Sequence, residues 1–228
     1  GELQIRVEDG RNCFNVNAFA EVDKKAETHR QLALLLRFLE FDSVEAETLS
    51  SQIQDWIDAD SIPAQGGAED FIYMSLTPAY RAANTVMADI TELREIQNID
   101  EETFLRLRPY LCALPTTEFS KINVNTLRQN EAPLLGIVFG VADGLGAAEE
   151  VIADRPLAGY DNPDTIYANS AVKGLELKGK GKDQLTTQTD RVDLQIDIKL
   201  GDQRRSTQTR FAIGGADGVQ LVSRRSRF

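Results

Sequence analysis

The residues best placed to do chemistry frame one loop, which opens Asp58-Ala59-Asp60 and closes Glu69-Asp70. Hard cations such as calcium take about six to eight oxygens from carboxylates and carbonyls. With Asp58 as position 1, Asp60 falls at 3 and Glu69 at 12, acidic positions of an EF-hand loop. Ile62 at 5, Gly66 at 9, and Pro63 at 6, where that loop needs glycine, break the match. The EF-hand reading fails. A different calcium loop and a solvated turn capped by aspartates both remain, the turn being the commoner outcome for such spacing.

Other candidates carry less. Lys178-Gly179-Lys180-Gly181-Lys182-Asp183 has the glycines of a phosphate cradle but lacks the Gly-Lys-Ser/Thr ending and precedes no helical pattern. It reads as a mobile basic loop. His29 is the single histidine, and no nucleophile-elbow motif accompanies it, so nothing argues for an enzyme. Cys13 and Cys112 belong to no Cys-x-x-Cys motif, which leaves two unrelated buried thiols or one disulfide in an oxidising compartment. Glu92 to Asp100, followed by Phe104 and Leu107, has the shape of a helix-hairpin-helix. Gln97-Asn98 fills its hairpin without the glycines that let backbone amides approach a phosphate.

Charge weighs against nucleic acid more broadly. Residues 1–170 carry 13 basic and 29 acidic side chains, whereas residues 171–228 carry 12 and 7. A chain that is acidic over three-quarters of its length repels the phosphate backbone and suits a divalent cation or a basic partner. The longest mostly apolar run, Ala132 to Ala142, falls well short of the roughly 20 residues of a membrane-spanning helix.

These residues must be positioned by elements whose periods change twice. Leu3, Ile5 and Val7 alternate with polar neighbours up to the turn Asp9-Gly10, as in a half-buried strand. Leu32, Leu35, Leu36 and Leu39, then Leu49, Ile53, Trp56 and Ile57, have helical spacing. Helices are also expected over Pro78 to Met87, Thr91 to Ile96 with Thr91 as N-cap, Glu101 to Leu111, and Gly146 to Ala153. Val192, Leu194, Ile196, Ile198 and Leu200 restore strict alternation, and turns at Gly201-Asp202 and Gly214 to Gly218 separate two further strands. The order predicts a first strand paired with a C-terminal meander, with helices inserted between them: residues 1–22 and 170–228 form the α/β part, 23–169 the helical part.

Several segments occur in the order found in one family. They are Asp9-Gly10 with Phe14-Asn15-Val16-Asn17, Asp55-Trp56-Ile57-Asp58-Ala59-Asp60, and Gly67-Ala68-Glu69-Asp70 before Tyr73. Pro78-Ala79-Tyr80-Arg81-Ala82-Ala83-Asn84, Glu92-Leu93-Arg94, Ala113-Leu114-Pro115 and Ile122-Asn123-Val124-Asn125-Thr126 follow. The chain resembles the K-type minor pseudopilin of the bacterial type II secretion system (general secretion pathway protein K). Leu127 departs from the alanine usual at that place. The resemblance implies an α+β fold: a pilin-like antiparallel sheet domain, its N-terminal helix absent from this sequence, with a large inserted all-helical domain of sterile-alpha-motif-like halves.

It further implies a non-enzymatic subunit at the pseudopilus tip, assembled with the I and J minor pseudopilins. This would be the periplasmic domain of an inner-membrane protein, touching the membrane only through that N-terminal helix and binding no nucleic acid. A helix-hairpin-helix nucleic-acid module is the alternative. A periplasmic address implies a Cys13–Cys112 disulfide. The family also implies calcium in the helical domain, with Asp58, Asp60, Glu69 and Asp70 as ligands. Partner contact is expected on the solvent side of the meander, including Gln195 and Lys199.

Overall fold

The computed structural model of the chain describes residues 1–177, 181–214 and 218–227. The basic segment at Lys178 to Lys180 and the centre of the turn after Gly214 lie outside the described residues. Strand β1 (Glu2–Asp9) opens the chain, and short strand β2 (Phe14–Asn15) leads through a 3-10 turn over Val16–Ala20 into helices α1 (Lys25–Phe38) and α2 (Ser43–Ile57). The leucines of α1 and the Leu49, Ile53, Trp56, Ile57 stripe of α2 are buried, as their spacing predicts, Leu39 alone being half-buried. A capping box starts α2: Asp42 accepts from the N–H groups of Val44 and Glu45, and Glu45 accepts from that of Asp42.

Helices α3 (Asp70–Tyr73) and α4 (Glu101–Leu107) follow, and strand β3 (Leu111–Cys112) returns to pair in parallel with β2. A disulfide joins Cys13 to Cys112 beside this pairing, with a Cα–Cα distance of 5.8 Å. A second half repeats the plan. Strand β4 (Ile122–Asn123) precedes helices α5 (Ala132–Phe139), α6 (Gly144–Ala153), α7 (Asp164–Tyr167) and α8 (Ser170–Lys173), and strand β5 (Leu185–Thr186) pairs in parallel with β4. Gly136 lets α5 approach α6 and α1, since a Cβ there would stand 2.8 Å from the Phe38 ring and 3.3 Å from the Leu145 backbone.

Both halves share one core, which contains Phe14, Phe19, Leu35, Ile53, Phe104, Leu135, Phe139, Val172 and Leu185. The helical unit therefore takes in residues on both sides of the expected limits at 23 and 169: Phe14 to Phe19 enter its core at one end, Val172 and Leu185 at the other. Residues Pro78 to Met87 form no helix. Their polar groups go to tertiary partners instead: the Ala82 N–H donates to Asp70 Oδ1, the Met87 N–H to Asn17 Oδ1 and the Asn84 side chain to the Asp60 carbonyl. Asp89, not Thr91, caps the next turn, a 3-10 helix over Ile90–Glu95. The helix-hairpin-helix shape is packing: Ile96, Ile99, Phe104 and Leu107 are buried, and Arg94 pairs with Glu101 over the Phe104 ring.

Strands β6 (Arg191–Leu200), β7 (Gln203–Ile213) and β8 (Val219–Arg227) complete a four-stranded antiparallel sheet in the order β1-β6-β7-β8. Its register sets Leu3 against Ile198, Ile5 against Ile196 and Val7 against Leu194, so one face is an apolar band. That band is open, with Leu3, Ile5 and Val7 exposed to 64%, 55% and 65%. The polar face looks instead at the helical unit across a cleft of about 900 Å³, lined by Arg6, Gln195 and Arg210 on one side and Asp89, Tyr110 and Arg128 on the other. Gln195, expected to face open solvent, lines this cleft. Arg128 pairs with Glu8 at 2.6 Å and Arg225 with Asp89 across the same gap.

The disulfide closes a loop of 99 residues around the first helical half. Replacing both cysteines by alanine should lower stability by about 2–4 kcal/mol, mainly by releasing unfolded-state entropy. Urea denaturation of the double variant beside the oxidised chain measures this, and coincident midpoints would show that the bridge does not hold the unit together.

Candidate metal centre

The centre forms where α2 ends. Residues three apart at the end of a helix lie on one face, so Asp55 and Asp58 both look toward the following loop. Both oxygens of Asp55 accept from the Ala64 N–H at 3.1 Å, folding the loop back over the helix end. Gly67 closes that fold: a Cβ there would stand 1.9 Å from Asp55 Oδ2. Asp60 Oδ1 accepts from the Ile62 N–H at 2.9 Å, an Asx turn that fixes its carboxylate, whose side chain is 49% exposed. The loop then delivers Glu69 just before α3.

Asp58, Asp60 and Glu69 each present an oxygen within 4.8 Å of the others. Asp58 and Glu69 are each only 3% exposed. Asp70, the fourth expected ligand, turns away: its Oδ1 accepts from the Ala82 N–H at 3.0 Å and its Oδ2 lies 3.5 Å from Arg81. Glu69 is the extended N-cap of α3 and Asp70 its first helical residue, and the bonds to Ala82 and Arg81 hold the Asp70 carboxylate away from the other three. Asp55 is the acidic neighbour that loop spacing missed, although its position three residues before Asp58 was a usable signal.

The electrostatics are those of crowded negative charge. Burial first, then the charges of Asp55 and Asp58, push Glu69 up to about 7. Burial likewise pushes Asp55 up to about 6, against the Ala64 hydrogen bond. Asp60 is held below the usual carboxylate range by the Ile62 N–H and by Lys25. The Lys25 ammonium reaches Asp58 Oδ2 at 2.9 Å and Asp60 Oδ2 at 3.2 Å. Burial pulls its pKa down, but these two bonds outweigh that and raise it.

The donor set fits a hard cation. Asp58 Oδ1, both Glu69 oxygens and Asn84 Oδ1 are buried acceptors without a hydrogen-bond partner; the Asn84 amide lies beside Glu69 without reaching bonding geometry. Buried acceptors left unpaired are costly, and a cation is the group that satisfies several of them at once. All are oxygens, which suits calcium; no sulfur or imidazole stands among them. His29, by contrast, contacts Ser51 Oγ at 3.2 Å, joining α1 to α2.

Comparison with known proteins gives one consistent answer. Residues 12–116 and 122–188 match two sequence families, each described as Type II secretion system (T2SS), protein K. The type II secretion system protein K of Pectobacterium carotovorum subsp. carotovorum is 32% identical over 231 residues, covering 98% of this chain and 70% of the relative. That of Aeromonas hydrophila is 29% identical over 241 residues, covering 99% and 70%. Among solved structures, a chain from the crystal structure of the GspK-GspI-GspJ complex of enterotoxigenic Escherichia coli superposes with a TM-score of 0.81 at 24% identity. The match covers 99% of this chain and 80% of that one.

The raised carboxyls fix a pH dependence for the metal-free chain. Between the unfolded values, near 4, and the folded values of about 6 and 7, the folded state binds more protons than the unfolded. Their contribution is therefore fully present below about pH 4 and lost as pH rises through about 7. With chelator present, the urea midpoint should fall more, or rise less, from pH 5 to pH 8 in the native chain than in Glu69→Gln, a comparison from which the opposing contribution of His29, held low by burial, cancels. The same pH profile in both chains would contradict the crowding described above.

Proposed function

We propose that this chain, which belongs to the type II secretion system protein K family, is a non-enzymatic minor pseudopilin at the tip of the pseudopilus. In this reading it assembles with I- and J-type minor pseudopilins to start or cap the filament. The observation that carries the reading is the family match on both helical halves, joined to a pilin-like sheet whose apolar face lies open. An open band of Leu3, Ile5, Val7 and Ile198 is what a pseudopilin sheet presents to a covering helix. The similar solved chain was crystallised with GspI and GspJ, which supports the same partners for this one. A disulfide suits the oxidising periplasm, and supports placing this region there as part of an inner-membrane protein. The nucleic-acid alternative has neither a glycine hairpin nor a basic helical unit in its favour.

Calcium is the cofactor this reading carries, held by Asp58, Asp60 and Glu69 with the Asn84 side-chain oxygen within reach of the same pocket. Its contribution is structural: it neutralises the carboxylates and orders the loop between α2 and α3.

Two experiments follow. Gel filtration of this chain with the I and J subunits of the same organism should give one complex containing all three. Separate elution in every pairing would refute the assembly. Calcium at about 100 times its dissociation constant stabilises by about 2.7 kcal/mol, which in a chain of this size raises the melting temperature by about 5–10 °C over a chelated sample. An unchanged midpoint, with no calcium in elemental analysis, would remove the cofactor and leave the assembly standing.

A further inference from the structure

Lys25 is the first residue of α1 and Asp58 the C-cap of α2. A lysine at a helix N-terminus and an aspartate at a helix C-terminus both sit at the unfavourable end of a helix dipole. Neither charge is placed to help its own helix. They face one another because α1 and α2 pack side by side in opposite directions. The ammonium then enters the acidic loop, where it binds Asp58 Oδ2 and Asp60 Oδ2 and is 22% exposed. It reaches only one oxygen of each aspartate. Asp58 Oδ1 and both oxygens of the buried Glu69 remain without partners beside it. Among the described residues, Lys25 is the cation paired into this group, in which Asp58, Asp60 and Glu69 offer oxygens within 4.8 Å of one another and Asp55 adds its charge beside them.

We propose that Lys25 is a tethered counter-ion that competes with calcium for Asp58 and Asp60. It keeps the loop folded when calcium is scarce, and it sets the calcium affinity lower than the carboxylates alone would give. This rests on the calcium reading of the loop and adds a regulator to it: calcium entry must displace the ammonium or bind against its charge. The same lysine links the metal to the α1–α2 hairpin, so exchanging one cation for the other moves a contact at the centre of the helical unit.

The test is calorimetric titration of calcium into the metal-free chain and its Lys25→Met variant, which keeps most of the apolar stem. Removing a unit charge a few ångströms from a divalent ion should tighten binding by about tenfold at low ionic strength, and by less as salt screens the pair. Metal-free Lys25→Met should melt below the native chain, whereas the calcium-loaded proteins should melt together. Should the methionine variant not fold, Lys25→Gln serves in its place. Amine labelling of the native chain gives a readout without mutation: Lys25 should label faster once calcium is added. Calcium binding by the variant alone, with none by the native chain, would also support the proposal. Native binding that the variant does not improve, or Lys25 labelling unchanged by calcium, overturns the competition while leaving the site. No binding by either chain overturns site and competition together.

Discussion

Asp9 stands where the chain leaves the sheet, and both its oxygens are spent on holding the helical unit there. Oδ1 accepts from the Arg11 N–H and the Thr189 hydroxyl at 3.0 and 2.8 Å, Oδ2 from the Asn123 amide and the Thr126 hydroxyl at 2.9 and 3.0 Å. The chain departs after β1 and returns before β6, its immediate neighbour, so the insertion hangs from one corner of the sheet. The Gly10 N–H continues the ladder to the Arg191 carbonyl, and Arg11 grips Asp190 with two bonds of 2.7 Å. Four donors on one carboxylate are charge-assisted bonds, whereas the pairs across the cleft are more exposed. The orientation of the helical unit therefore depends on Asp9 more than on Arg128–Glu8.

Within the unit, one device is used twice. Asn15 accepts from the N–H groups of Asn17 and Leu114 and donates to the carbonyls of Thr116 and Glu118; Asn17 bonds Met87 in both directions and donates to Leu114. Asn125 does the same for the second half, exchanging bonds with Tyr160 and donating to Thr187. Each Asn-Val-Asn triplet buries its valine and uses its asparagines as surrogate backbone for chain that forms no regular ladder. The triplets were legible in the sequence as segments of the family's pattern. Their long-range partners were not, because hydrogen bonds to residues 35 to 103 positions away leave no local pattern. The segment from Pro78 to Met87 misled for the same reason: its helical composition was overridden by bonds to Asp70 and Asn17.

The acidic loop between α2 and α3 divides along the same line. Spacing within the loop located Asp58, Asp60 and Glu69, because three carboxylates in a short loop must meet if it folds back. It could not say that Asp70 bonds Ala82, nor that Asn84 and Lys25 arrive from two other parts of the chain. Lys25 precedes Asp58 by more than thirty residues, and only the opposed packing of α1 and α2 joins them. The sheet was the most readable part, since period-two alternation fixes both pairing and facing. Which face would be wet was the exception, because that depends on what lies opposite.

A single-layer sheet must bury its apolar face to be stable, and here the helical unit lies on the other side. The cleft between sheet and helical unit is polar on both walls: Arg6, Glu8, Asp193, Arg210 and Arg225 stand on the sheet side, Asp89, Arg108, Arg128 and Glu131 on the helical side. Ion pairs of both senses cross it, Arg128 to Glu8 and Arg225 to Asp89, and charged side chains keep their water unless closely paired. The apolar band is consequently left for another apolar element, and burying each of its leucines, isoleucines and valines is worth about 1.5–3 kcal/mol. The acidic insertion cannot supply that burial from across the polar face. Burial of the band would have to come from outside the sheet and the helical unit, so in the proposed assembly sheet stability and partner contact would draw on one surface.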